Sequence, residues 1–197
     1  MKKILSIIIA FIVPVVFYLN LSYAQGTKKA VFIIAQENFQ DDEFAKPLEA
    51  LKARGISVTV ASTKLQEATG TGGMKAKPDM LLKDVAAEDF DAIVFIGGPG
   101  AAQYLDDPVA HKLAQDGVAQ NKIVGGICLA PVILTNAGIL KGKKATVYPS
   151  EADKLKSAGV DYTAQPVEKD GKIITADGPG SAGDFGEALA YALEGGN

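Results

Sequence analysis

Apolar residues fall along this chain in short unbroken runs, separated by stretches in which they recur at helical spacing. Ala30–Ala35 (AVFIIA), Ala92–Ile96 (AIVFI) and Lys122–Ile127 (KIVGGI) have the continuous apolar character of strands covered on both faces. Ser57–Ala61 (SVTVA) predicts another strand, and Ala145–Val147 and Lys172–Ala176 predict two more. Between them the period changes. Phe44, Pro47, Leu48 and Leu51 recur at i, i+3, i+4 and i+7, with Asp41 and Asp42 at the predicted helix start and Gly55 at its stop. Pro47 fits that helix only in its first turns. Asp107-Pro108 opens a second helix with Ala110, Leu113, Ala114, Gly117 and Val118 on one stripe. Pro131 opens a third that Gly138 closes, and Phe185, Ala188, Leu189, Ala192 and Leu193 mark the last. Ala68–Pro78, with Gly70, Gly72 and Gly73, reads as a turn-rich excursion.

Strands alternating with helices predict an α/β domain, a mainly parallel sheet sandwiched by helices on both faces. In such sheets ligands and chemistry gather at the carboxyl ends of the strands. Two segments fall there: Gly97-Gly98-Pro99-Gly100 after Ile96, and Cys128 after Ile127.

The first 24 residues stand outside this pattern. Lys2 and Lys3 precede an apolar run from Ile4, and Ser22-Tyr23-Ala24 supplies small residues at a cleavage site. That order predicts a signal peptide over 1–24, followed by one domain over 25–197 in an exported, periplasmic or secreted protein. The alternative is an uncleaved membrane anchor, because Ile4–Leu21 nearly suffices to span a bilayer. The 20 Lys and Arg against 23 Asp and Glu, without a basic patch, argue against nucleic acid as the main partner. One Cys and one His exclude an internal disulfide and a Cys/His zinc site, and no metal or cofactor is expected.

Gly126-Ile127-Cys128-Leu129-Ala130 has the small-x-nucleophile-x-small form of a strand-to-helix elbow, a turn so sharp that small residues must flank it. The elbow lifts the thiol above the sheet at a helix start, where the helix dipole and free N–H groups are expected to lower its pKa. The N–H groups of Gly98 and Leu129 are the candidates for an oxyanion hole.

The chain resembles the DJ-1/PfpI (ThiJ/PfpI) family. The resemblance is carried by Phe39-Gln40-Asp41-Asp42-Glu43, Ile96-Gly97-Gly98-Pro99-Gly100-Ala101, Gly126-Ile127-Cys128-Leu129-Ala130-Pro131 and Ala137-Gly138-Ile139-Leu140, with Gly178-Pro179-Gly180 further on. It implies a flavodoxin-like fold, a homodimer or larger assembly, and a reactive Cys near the interface. It also implies a Glu after the first strand that hydrogen-bonds the Cys. Matched at Phe39-Gln40-Asp41, the position holds Gln40, an amide that donates a hydrogen bond but cannot relay a proton. Asp41, Asp42 or Glu43 could substitute, although such residues more commonly charge and cap a helix start. The family's partner His is absent too: Leu129 follows the Cys, Tyr148 stands where other members have His, and His111 is expected to face solvent.

Two classes of function follow. One is a Cys128-dependent hydrolase or lyase on small carbonyl compounds, glyoxalase- or deglycase-like rather than peptidase, with Gln40, Gly98 and Leu129 around the sulfur. The other is a non-enzymatic redox-sensing or protective envelope protein whose small-molecule partner is an oxidant, since thiol oxidation needs no dyad. A third use of the same loops is a binding pocket lined by Ser150, Glu151 and Asp177.

Overall fold

The computed structural model describes residues 27–196, so the signal or anchor segment expected over 1–24 lies outside the described residues. Seven strands form the central sheet: β1 (Lys29–Ile33), β2 (Ser57–Ser62), β3 (Met80–Leu81), β4 (Ala92–Phe95), β5 (Ile123–Ile127), β6 (Val167–Asp170) and β7 (Ile173–Ala176). Their order is β6-β7-β5-β4-β1-β2-β3. Every neighbouring pair is parallel except β6 with β7, which pair antiparallel from Val167↔Ala176 to Asp170↔Ile173. The mainly parallel sheet covered on both faces is the one that strand-helix alternation predicts, and its flavodoxin-like arrangement is the one that the family resemblance implies.

The continuous apolar runs form the central strands because both of their faces are covered. Val31, Ile33, Ile93, Phe95 and Val124 enter one core with Leu113 of α2 (Pro108–Ala119) and Leu134 of α3 (Ala130–Asn136). Phe32, Val94 and Ile174 enter the other with Phe44 and Leu51 of α1 (Asp41–Ala53). The same core takes Phe185 and Leu189 from the helix over Ala182–Leu193. Burial on this scale, at roughly 25 cal/mol per Å² of apolar surface, fixes which helix covers which face.

Pro47 sits beyond the first turn of α1, where the proline can contribute no backbone N–H. It is buried at the crossing with the last helix, and a Cβ on Gly186 there would lie 2.7 Å from the Pro47 Cα. Val118 leaves the expected stripe and is 42% exposed, although the adjacent Gly117 packs on Ile93 and Val124 of the sheet. The excursion at Ala68–Pro78 contains two short strands, Ala68–Gly70 and Lys75–Ala76, which join Glu37–Phe39 in a small separate sheet. The strand expected at Ala145–Val147 is reduced to Lys144–Ala145, paired with Asp161–Tyr162. Among the described residues no helix is long and apolar enough to cross a membrane.

Candidate active site

Three carboxyl ends of adjacent strands meet at one point. β1 leads through Glu37–Phe39 into α1, β4 into the glycine loop, and β5 into Cys128. Their close approach depends on glycine. A Cβ on Gly97 would lie 2.5 Å from the Ile127 carbonyl and 2.7 Å from the Cys128 Cβ, and would also overlap the Glu43 carboxyl. Gly98 adopts φ 96° beside the Gln40 N–H, where a Cβ would come within 2.5 Å. On the other side of this loop the buried Tyr104 hydroxyl donates to the Ile34 carbonyl at 2.9 Å, tying the turn after the glycines to the end of β1.

Cys128 has φ 62°, a left-handed conformation that disfavours any side chain and costs about 1–3 kcal/mol. Two backbone bonds hold it there. The Cys128 N–H donates to Ala176 at 2.9 Å, and its carbonyl accepts from the Tyr148 N–H at 3.0 Å. The N–H groups of Gly98 and Leu129 lie near enough to Sγ to favour its charged form.

The third group at the sulfur is Glu43. Gln40 is the N-cap of α1, and its side-chain oxygen accepts from the Glu43 N–H at 2.9 Å. In a reciprocal capping box the acid at this helical position would fold back onto the N-cap N–H. Here that N–H already donates to the Gly97 carbonyl at 3.1 Å. The Glu43 side chain turns inward instead, is 0% exposed, and meets the Cys128 thiol. The carboxyl group found lacking at Gln40 is therefore present three residues later, and Gln40 serves as cap and cleft wall. The signal for that carboxyl was a stripe: Glu43 lies four residues before Pro47 and eight before Leu51, on the buried face of α1.

Burial raises the Glu43 carboxyl from 4.5 to about 7, helped by the charges of Asp177 and Asp42; the Cys128 thiol and the Gly97 N–H oppose the rise. Neither of those contacts has the geometry of a full hydrogen bond, so both carboxyl oxygens are buried without a satisfied partner. Burial also pushes the Cys128 thiol up to about 12, with the Glu43 charge adding to the rise and the Gly98 and Leu129 N–H groups opposing it. The expected lowering of the thiol by the helix start is thus overturned by burial and an adjacent acid. Physically the two groups titrate as a pair: one proton leaves near neutrality and the second is held, because two adjoining negative charges in a buried site repel.

The cleft above the pair encloses about 450 Å³. Thr71, Pro99, Tyr148, Ser150, Glu151 and Pro179 form its walls together with the residues already described. Thr71 is held in place by Asp41, whose carboxyl accepts from the Thr71 hydroxyl at 3.2 Å, from the Gly72 N–H, and from the Met74 N–H at 2.9 Å. Asp177, expected on the wall, lies behind it: it accepts from the Ser181 hydroxyl at 2.6 Å and acts on the cleft through its charge on Glu43. His111 is half-buried rather than solvent-facing, with Nε2 2.8 Å from the Leu105 carbonyl, and no imidazole lines the cleft. Tyr148, 46% exposed, occupies the mouth. A second cleft of about 340 Å³ opens beside Lys28, Lys122, Lys169 and Lys172 at the amino ends of the strands, away from the thiol and its acid. Among the described residues no cluster of His, Cys, Asp and Glu is arranged to hold a metal ion.

Comparison with known proteins identifies the family and the fold. The model of the DJ-1/PfpI family matches residues 28–192. The chain is 34% identical over 152 residues to Deglycase PfpI of Pyrococcus furiosus, covering 77% of this chain and 91% of that protein. It is 29% identical over 168 residues to the glutathione-independent glyoxalase DJR-1.2 of Caenorhabditis elegans, covering 85% and 90%. A ThiJ/PfpI domain protein from Brachyspira murdochii superposes with a TM-score of 0.84 at 31% identity, covering 87% of this chain and 99% of that one.

Proposed function

The chain belongs to the DJ-1/PfpI family, and we propose that it is a glyoxalase- or deglycase-type enzyme in which Cys128 is the nucleophile and Glu43 its acid–base partner. The observation that carries this is the Glu43 carboxyl, fully buried against the thiol and raised to about 7. A group that titrates near neutrality can accept a proton and return it. Relatives named as a deglycase and a glyoxalase supply the substrate class, small carbonyl compounds.

The chemistry follows from the residues. Glu43 takes the thiol proton as sulfur attacks the aldehyde carbon of a 2-oxoaldehyde, forming a C–S bond. The Gly98 and Leu129 N–H groups stabilise the negative oxygen that develops, and Glu43 then protonates it to give a hemithioacetal. As a carboxylate again, Glu43 removes the hydrogen from that carbon while the hemithioacetal hydroxyl proton passes to the neighbouring ketone oxygen, and Glu43 returns its proton to the second carbon, leaving the first as the carbonyl of a 2-hydroxy thioester. Water cleaves the thioester, regenerating the thiol and releasing a 2-hydroxy acid; the sum is aldehyde plus one water. Peptide hydrolysis is a poorer match, since an amine leaving group is normally protonated by a His that this cleft does not offer.

The test is turnover of methylglyoxal by the purified protein, following aldehyde loss and 2-hydroxy acid formation. Both should depend on Cys128 and Glu43; turnover unaffected by Cys128→Ala would reject the assignment. Export and self-association belong to the same reading, supported respectively by the Lys2-Lys3, apolar, Ser22-Tyr23-Ala24 order and by the family resemblance.

A further inference from the structure

The walls of the cleft carry charge of one sign only. Glu43 lies at its floor beside the thiol and Glu151 at its rim, and the remaining side chains that face it, including Gln40, Thr71, Tyr148 and Ser150, are uncharged. No Lys, Arg or His lines it. Lys154 binds the Glu151 carboxylate at 2.6 Å without lining the cleft and is half-exposed. Behind the floor, Asp177 adds a further negative charge close enough to act on Glu43. The positive features that remain are the N–H groups of Gly98 and Leu129, both of which line the cleft beside the thiol and favour its charged form.

Resting on the reading of Cys128 as the reacting nucleophile, we propose that the cleft selects substrates by charge: it admits uncharged carbonyl compounds to the thiol and repels those that carry a carboxylate. A carboxylate entering the site would lose water and gain no cation in exchange, while facing the charge shared by Glu43 and Cys128. An uncharged 2-oxoaldehyde meets neither penalty, and its developing oxyanion is met by the two N–H groups. Among carbonyl compounds that reach the cleft, those carrying a carboxylate, 2-oxo acids among them, are therefore kept from the thiol.

Iodoacetamide and iodoacetate test this without turnover, since they are nearly equal in size and differ by one negative charge. Each alkylates the single Cys, and the chain unfolded in urea gives the intrinsic ratio of the two rates. In the folded protein the iodoacetate-to-iodoacetamide ratio should fall at least tenfold below the unfolded value. Glu151→Gln removes a rim charge and frees Lys154, so it should recover several-fold of that loss. Equal ratios in folded and unfolded chain would overturn charge selection, and a depressed ratio unmoved by Glu151→Gln would overturn the role of Glu151. Methylglyoxal turnover is measured beside it: discrimination without turnover removes the catalytic reading alone, whereas turnover with equal ratios removes the charge selection alone. A thiol that neither reagent reaches overturns both.

Discussion

Replacing Glu43 by Gln removes a carboxyl that the fold buries without satisfying it, and the consequence for stability has a definite sign. The carboxyl is 0% exposed and titrates at about 7 in place of 4.5. At about 1.4 kcal/mol per pH unit, the folded state resists its ionisation by about 3 kcal/mol. Because the folded value is the higher one, the folded protein binds the proton more tightly than the unfolded chain does. Wild type therefore loses stability relative to Glu43→Gln as pH rises from 4.5 through about 7, and the gap stays constant above that. At lower pH, acid and amide are both neutral and the two proteins should differ little. For a domain of this size, about 3 kcal/mol corresponds to a Tm increase of roughly 6–12 °C at about pH 8. The assay is denaturant unfolding of both proteins across that pH range, repeated in a Cys128→Ala background to separate the carboxyl from the thiol. The same substitution should lower turnover about a hundredfold or more, the scale of a lost general acid–base group. A stability gap independent of pH, or a Gln variant less stable than wild type at alkaline pH, would refute the reasoning.

Cys128→Gly should be more stable than Cys128→Ala by about 1 kcal/mol, since only Gly adopts φ 62° without strain, and a comparison of their Tm values decides it. Gly97→Ala, whose Cβ would press on the Ile127 carbonyl at 2.5 Å, should destabilise by roughly 1–3 kcal/mol and abolish Cys128-dependent turnover, read by unfolding and by activity. Burial alone would raise the Asp41 carboxyl, but the Gly72 and Met74 N–H groups and the Thr71 hydroxyl hold it below 3.8, so its support for the hairpin persists above that value and is lost as pH falls through the lowered one. Asp41→Asn should accordingly speed amide exchange at Gly72 and Met74 while leaving exchange in the central strands unchanged. Intact mass of the protein recovered from the cell envelope should show residues 1–24 removed, and an uncleaved chain would support the anchor instead.

How much of this was legible in the sequence differs between scaffold and site. The central strands could be read because burial on both faces demands continuous apolar runs, as in Ala92–Ile96. The edge strand Val167–Asp170 could not, since each of its residues is only half-buried and its composition shows no alternation. The elbow at Cys128 was visible because its geometry restricts the residues beside it to small ones. Glu43 was misjudged for a different reason. Local sequence gives an acid near a helix start the role of a cap, and only the Gln40 N–H bond to Gly97, a contact between distant segments, withholds that role and turns the side chain inward. The thiol was misjudged likewise: the helix start is a local feature, whereas the burial and the neighbouring carboxyl that outweigh it are tertiary.

The pairing of Cys128 with Glu43 is tested most directly by the pH dependence of the alkylation rate with iodoacetamide, in wild type and in Glu43→Gln. The pair predicts a rise in the wild-type rate through about pH 7, as the shared proton becomes the only one left, followed by a plateau until the thiol loses its own proton. In Glu43→Gln the lower transition should vanish and a single thiol titration should remain. Superimposable profiles for the two proteins would contradict the account, because Glu43 would then exert no control over the proton on sulfur.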